Sequence, residues 1–254
     1  MQRVIITGAS SGIGTALAHH YARNGAVLGL IARRKSALEE LAAQLSTPVQ
    51  IYAADVRDAA ALQAAAADFL ARHGCPDIVI ANAGVSTGTL TEVPEDLAAF
   101  KDVLDINVVG MVQTFQPFIA AMRDAGRGAL VGIASVAGYR GLPGAAAYSA
   151  SKAAAISYLE SVRVELRASG VKVITICPGY IATPMTAQNP YAMPFILSAD
   201  DSARKIAGVI ASGKTFAVIP WQIAIVARVM RVLPNWLYDR LFGNAPRKPR
   251  LKRD

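Results

Sequence analysis

The sequence predicts an α/β protein built on a doubly wound parallel sheet of about seven strands, with helices on both faces. Short runs rich in Val and Ile recur at 3–7, 26–32, 49–53, 77–81, 128–134, 172–177 and 215–220. Longer, Ala-rich segments of helical periodicity alternate with them. The strand runs are continuously apolar, as burial on both faces of a parallel sheet requires, so each strand–helix–strand step reads as a βαβ unit.

The first strand runs straight into Thr7-Gly8-Ala9-Ser10-Ser11-Gly12-Ile13-Gly14, which opens the first predicted helix, 12–24. Further helices are predicted over 35–46, 58–73, 98–125, 146–169 and 199–212, with boundaries good to about 2–4 residues. No linker, charge block or low-complexity stretch interrupts this order before Ala245. The expected organisation is one domain over 1–254: a core at 1–220, an apolar helical extension at 221–242 and a basic tail at 243–254.

Composition narrows the function classes. With 254 residues, 53% apolar content and a mean hydropathy of +0.34, the chain has ample material for a core. A charged fraction of only 17% excludes a disordered chain. Of the net charge of +8, +6 lies from Arg228 onward, where eight basic residues face two acids. The basicity belongs to the C-terminal end, which excludes a broad nucleic-acid-binding face. Cys75 and Cys177 are too few and too far apart for a disulfide framework, so a reducing, cytoplasmic setting is expected. The opening residues read as a strand and not as a leader, and no run of about 18 uncharged apolar residues is present.

Glycines placed between a strand and a helix let the backbone turn tightly and approach a pyrophosphate. The free N–H groups and dipole of the helix N-terminus then favour its negative charge. At the end of the second strand stand Arg33 and Arg34, with no acid before Glu39. An acid there suits the ribose hydroxyls of NAD, whereas an arginine suits an adenosine 2′-phosphate, so NADP(H) is expected over NAD(H). Asp55 follows the third strand, where it could also cap the next helix. Tyr148 and Lys152, four apart, share one helix face, and Ser135 ends the fifth strand, where open α/β sheets place ligands. Asn107 lies among Val103, Leu104, Ile106, Val108 and Val109, where a buried amide needs specific partners. His19, His20 and His73 lack ligand spacing, read as helix-surface residues, and no metal is expected.

These motifs together resemble the short-chain dehydrogenase/reductase family, a Rossmann-type group. They are the glycine loop, Asn82-Ala83-Gly84, Asn107, Ser135, Tyr148-Ser149-Ala150-Ser151-Lys152, Pro178-Gly179 and Thr183, in family order. The resemblance covers the chain to about Pro220. It implies an oxidoreductase interconverting a carbonyl and a secondary alcohol. Tyr148 would be the general acid/base, Ser135 would bond the substrate oxygen, and Lys152 would lower the tyrosine pKa and hold the nicotinamide ribose. Asn107 would anchor a relay water. Gly8, Ser10, Ser11, Gly12, Ile13, Gly14, Asp55, Asn82, Ala83, Gly84, Pro178, Gly179, Ile181 and Thr183 would complete the cofactor site. The resemblance also implies a homodimer or homotetramer through 98–125 and 146–169.

In the family the segment 180–198 is a lid, and here it carries Met185, Tyr191 and Phe195, with Tyr139 on the opposite side of the expected pocket. An apolar lid points to an apolar substrate, although the same residues could simply pack on the core. The extension departs from the usual family ending. Its wide apolar face and basic tail fit either peripheral contact with a membrane's inner face through 221–254 or cover for the core or a partner subunit. A chemistry within lipid or acyl metabolism, a non-catalytic NADP(H)-binding redox sensor, and a membrane-recruited scaffold are the alternatives.

Overall fold

The computed structural model describes residues 1–250. The last four, including the basic Lys252 and Arg253 of the expected tail, lie outside the described residues. Seven parallel strands are β1 (Arg3–Thr7), β2 (Val27–Ala32), β3 (Val49–Ala53), β4 (Ile78–Ala81), β5 (Gly128–Ile133), β6 (Val171–Pro178) and β7 (Phe216–Ile219). They lie in the order β3-β2-β1-β4-β5-β6-β7. Every residue of β2 and β4 is buried, which accounts for their unbroken apolar runs. The order reverses between β1 and β4. At that switch point the connections leave to opposite faces and a crevice opens beyond the carboxyl ends of the strands.

On one face, α1 (Gly12–Arg23), α2 (Lys35–Ala43) and α7 (Ala199–Ser212) bury Leu17, Leu38 and Ile206. On the other, α3 (Ala59–His73), α5 (Gly110–Asp124) and α6 (Ala146–Glu165) bury Phe69, Phe115 and Leu159. A close approach explains Gly29 in β2: a Cβ there would stand 2.4 Å from Ile5 Cδ1 and 3.0 Å from the Phe69 ring. By length and composition the helical run Asp96–Asp124 could cross a membrane, but 44% of its most apolar window is buried inside the protein. Its Phe115, Phe118 and Met122 are spent on the core.

One expectation needs correction. The single helix over 98–125 is α4 (Asp96–Leu104) and α5 joined by a π-helical turn, Asp105–Val109. The helices expected over 35–46 and 146–169 end at Ala43 and Glu165, within the expected boundary tolerance. The histidines lie on helix surfaces and are only partly exposed; His73 packs its ring 5.0 Å from that of Phe69.

The extension forms α8 (Trp221–Val232) and α9 (Asn235–Phe242). Arg140 anchors both, because its guanidinium donates to the carbonyls of Met230 (2.9 Å) and Leu233 (2.7 Å) and to Asn235 Oδ1 (2.8 Å). Carbonyls that a helix end leaves unpaired thereby gain a cationic donor. The same guanidinium lies 4.2 Å from the Tyr238 ring centroid, and the Tyr238 hydroxyl donates to Gly141 O at 2.6 Å. The outer face leaves Trp221, Ile225, Val229, Val232 and Trp236 exposed.

Candidate active site

A cleft of about 340 Å³ opens at the switch point, and the glycine loop forms one end of it. Gly8 and Gly12 adopt left-handed φ values of +67° and +58°. Gly14 is a glycine for space: a Cβ would stand 2.2 Å from Gly8 O, closer than any real contact. Ser11 precedes α1 without a side-chain cap, and no acid lies in the first turn, so the leading N–H groups remain available to an anion. Thr183 reaches this loop, its Cγ2 lying 3.0 Å from where a Gly12 Cβ would be. Asn82 works as a tie between strands: its Nδ2 donates to Thr7 O (3.0 Å) and Gly8 O (3.3 Å), joining the ends of β1 and β4.

The cleft wall also includes Ser10, Ile13, Arg33, Arg34 and Asp55. Arg33 and Arg34 are exposed, and Arg34 Nη2 donates to Ser10 O at 3.1 Å. Asp55 does not cap α3. That cap is Asp58, whose carboxylate accepts from Ala61 N at 3.0 Å, while Asp55 grips Arg57. The Arg57 guanidinium holds the Asp55 carboxyl below its ordinary range.

Ala83, Gly84, Pro178, Gly179 and Ile181 line the middle of the cleft with Ser135, Tyr148 and Lys152. Ser135 ends the β5 segment and caps the 3-10 turn Val136–Gly138, its Oγ accepting from Ala137 N at 3.1 Å. Lys152 is buried; its Nζ donates to Ile133 O at 2.9 Å and lies 5.7 Å from the Tyr148 ring centroid. Burial pulls the lysine down to about 8. It pushes the Tyr148 phenol upward, against a hydrogen bond with Ser135 that acts the other way.

Asn107, fully buried on the π turn, pairs with the chain after β4 in both directions. Its Oδ1 accepts from Val85 N (2.8 Å), and its Nδ2 donates to Val85 O (3.0 Å) and to Ser151 Oγ (2.9 Å). Gly84 lets this amide and the lysine converge: a Cβ there would lie 3.1 Å from Asn107 Oδ1 and 3.6 Å from Lys152 Nζ.

The segment after β6 closes on itself, with Ile181 bridged to Leu197 and Leu197 N donating to Tyr180 O at 3.0 Å. Of the four residues expected to shape the substrate pocket, Met185 lines the cleft, whereas Tyr139, Tyr191 and Phe195 do not. Tyr139 packs edge-on against Phe216 at 6.4 Å, Tyr191 against Tyr180 at 6.3 Å, and Phe195 is 51% exposed. Sequence reasoning missed Ser86 and Lys248: Lys248 Nζ donates to Ser86 Oγ at 2.7 Å and stands 5.7 Å from the Tyr148 ring centroid. The only signal for it was the unexplained basic tail.

A doubly wound sheet with a glycine-built anion cradle and a Ser/Tyr/Lys group at its switch point is the architecture of a nucleotide-dependent oxidoreductase. The chain belongs to the short-chain dehydrogenase family, whose model matches residues 2–193. An uncharacterized oxidoreductase of Myxococcus xanthus is 38% identical over 238 residues, covering 92% of this chain and 94% of that protein. The 11-beta-hydroxysteroid dehydrogenase-like 2 of Arabidopsis thaliana is 35% identical over 263 aligned positions, covering 99% and 84%. Among solved structures, an alcohol dehydrogenase from the archaeon Thermococcus sibiricus, complexed with 5-hydroxy-NADP, superposes with a TM-score of 0.77. It is 26% identical and the match covers 86% of this chain and 96% of that one. Levodione reductase gives a TM-score of 0.79 at 28% identity, covering 86% and 95%. The family acts on CH–OH and C=O groups with NAD(P)(H).

Proposed function

We propose that the chain interconverts a carbonyl and a secondary alcohol on an apolar substrate, with NADP(H) preferred over NAD(H). The observation that carries this reading is the convergence of Ser135, Tyr148 and Lys152 on the cleft whose other end is the glycine loop. The residues fit a dinucleotide: Gly14 keeps open a space that a Cβ would fill, and the first N–H groups of α1 lack side-chain partners. Arg33 and Arg34 offer exposed cations to a 2′-phosphate, and the Asp55 carboxylate on the same wall is held by Arg57.

When bound, NADPH supplies the hydride, and NADP+ accepts it in the reverse direction. Tyr148 gives its phenolic proton to the substrate oxygen during reduction and takes it back during oxidation. Ser135 donates a hydrogen bond to the same oxygen. Lys152, as an ammonium, compensates the phenolate and holds the nicotinamide ribose. Asn107 anchors a water that returns the proton from solvent.

NADPH oxidation by the purified protein, followed across ketones and aldehydes of graded apolarity with Tyr148→Phe in parallel, tests the reading. Turnover that the variant lacks supports it. Cofactor binding with no turnover by either protein would favour a non-catalytic binder. The exposed Trp221 and Trp236, edged by Arg228, Arg231 and Arg240, support peripheral contact with an anionic membrane surface by a cytoplasmic homo-oligomer. Co-sedimentation with anionic vesicles and light scattering measure both properties.

A further inference from the structure

We propose that Lys248 is a substrate anchor and that the apolar carbonyl or hydroxy compound bound here carries a carboxylate. This rests on the reductase reading above. Residues 247–250 return from the extension as a strap and are seated by three independent fits. Gly88 N donates to Pro249 O at 2.9 Å, and Gly88 pairs in parallel with Arg250. Gly88 has no room for a side chain, since a Cβ would stand 2.2 Å from Lys248 O; Gly144, at φ +71°, gives Arg247 the same clearance at 2.8 Å. Arg250 then forks onto the buried Asp96 at 2.8 and 3.1 Å, and Leu90 N donates to that carboxylate at 2.8 Å.

With its backbone pinned on both sides, Lys248 directs its ammonium to Ser86 and the Tyr148 ring. Two ammonium groups, those of Lys152 and Lys248, thus stand 5.7 Å from the centroid of one phenol ring. Lys152 is tied to the Ile133 carbonyl. Among the described residues Lys248 has only the Ser86 hydroxyl as a hydrogen-bond partner and no carboxylate pairs with it; Asp96 is taken by Arg250. An ammonium has three N–H donors, so two remain for a ligand. A half-buried cation with a neutral partner is poorly compensated, and an arriving anion supplies what it lacks. Burial accordingly pulls the Lys248 ammonium below its ordinary value. Ser86 and Lys248 do not line the cleft that holds the glycine loop, Arg33, Ser135 and Tyr148; Lys248 borders that site at the Tyr148 ring, remote from Arg33 and the glycine loop in the lining.

Calorimetric titration of the protein, with and without NADP+, by hexanoate and by its neutral isostere hexanamide tests the anchor without any turnover. Hexanoate is expected to bind about tenfold tighter than hexanamide to the unaltered chain. That ratio should fall to about 1 in Lys248→Met and persist in Lys248→Arg. Equal affinities in the unaltered chain, or a preference that survives in Lys248→Met, would overturn the proposal. NADPH oxidation of neutral carbonyls without a carboxylate preference leaves the reductase and removes the anchor. A Lys248-dependent carboxylate preference without turnover of any carbonyl removes the reductase and leaves the anchor.

Discussion

The glycine loop and the C-terminal strap both border the Tyr148 site, and they are held by different means. The loop is made of backbone: left-handed Gly8 and Gly12, and a Gly14 that nearly touches Gly8 O. Its parts lie within seven positions of one another. The strap is held largely by side chains from remote parts of the chain, with Arg250 and Asp96 separated by 154 positions and Lys248 and Ser86 by 162. A backbone cradle has no adjustable part, so it tolerates no Cβ. A side-chain clasp can open by one rotation and should respond in degrees.

The largest effect is expected midway between the two regions. Tyr148→Phe removes the proposed proton donor and keeps the ring that Lys152 and Lys248 flank, so kcat should fall by roughly 10²–10⁴-fold. The melting temperature should change little. An unaltered rate in an NADPH absorbance assay would remove the phenol from the chemistry.

At the loop, Gly14→Ala places a Cβ 2.2 Å from Gly8 O and 2.8 Å from Asn82 Nδ2. One of these atoms is backbone, and the other is fixed by two hydrogen bonds. A loss of about 1–3 kcal/mol in stability is expected, with loss of NADPH binding. Thermal melts and fluorescence titration read the two effects separately. A variant that melts normally and binds NADPH would show that this cradle yields, erasing the contrast with the strap. Arg33→Ala is milder: the preference for NADPH over NADH should fall by about tenfold, and the drop should shrink at high salt because the side chain is exposed. An unchanged ratio would assign no selectivity to Arg33.

Lys152 adds a pH dependence to the comparison. Its ordinary value is 10.5, and burial lowers it to about 8 in the folded chain. Below about 8 both the folded and unfolded states hold the proton, and burial exacts its full penalty. Between about 8 and 10.5 the folded lysine has released its proton while the unfolded one has not, so stability rises with pH. Measured against Lys152→Met, the unaltered chain should therefore gain melting temperature as pH is raised through that interval. A constant difference between the two proteins would refute the assignment.

How legible each region was follows from the same distinction. Strands with both faces buried must be continuously apolar, and all seven strand runs coincide with observed strands to within a residue or two at either end. The glycine loop was readable because its constraints are local. The π turn was not, because a single widened turn leaves the apolar periodicity around Asn107 almost unchanged. Reading Asp55 as a possible cap of the next helix failed for a similar reason: the cap is Asp58, and two aspartates three apart differ only in which backbone N–H each can reach. Nothing in the composition of 243–250 pairs Arg250 with Asp96, because a long-range clasp leaves no spacing to read.

The smallest expected effect is also the one that most directly tests the clasp. Arg250→Met removes both guanidinium hydrogen bonds from Asp96 and leaves the carboxylate with Leu90 N as its remaining donor among the described residues. Because Arg250 itself is exposed, solvent screens the pair and water can replace the lost donor, so the global cost should be small. The Gly88–Pro249 backbone contact and the Gly144–Arg247 fit would persist only while the strap stays seated, and each alone is weak. Local opening should therefore rise while the melting temperature barely moves. Hydrogen exchange at Gly88, whose N–H is covered only by Pro249 O, reports that opening directly. Faster exchange at Gly88, with slow exchange retained in β1 and β4, would show a strap that opens independently of the sheet. Equal protection in both proteins would mean that backbone fit, as in the glycine loop, holds the strap without its arginine.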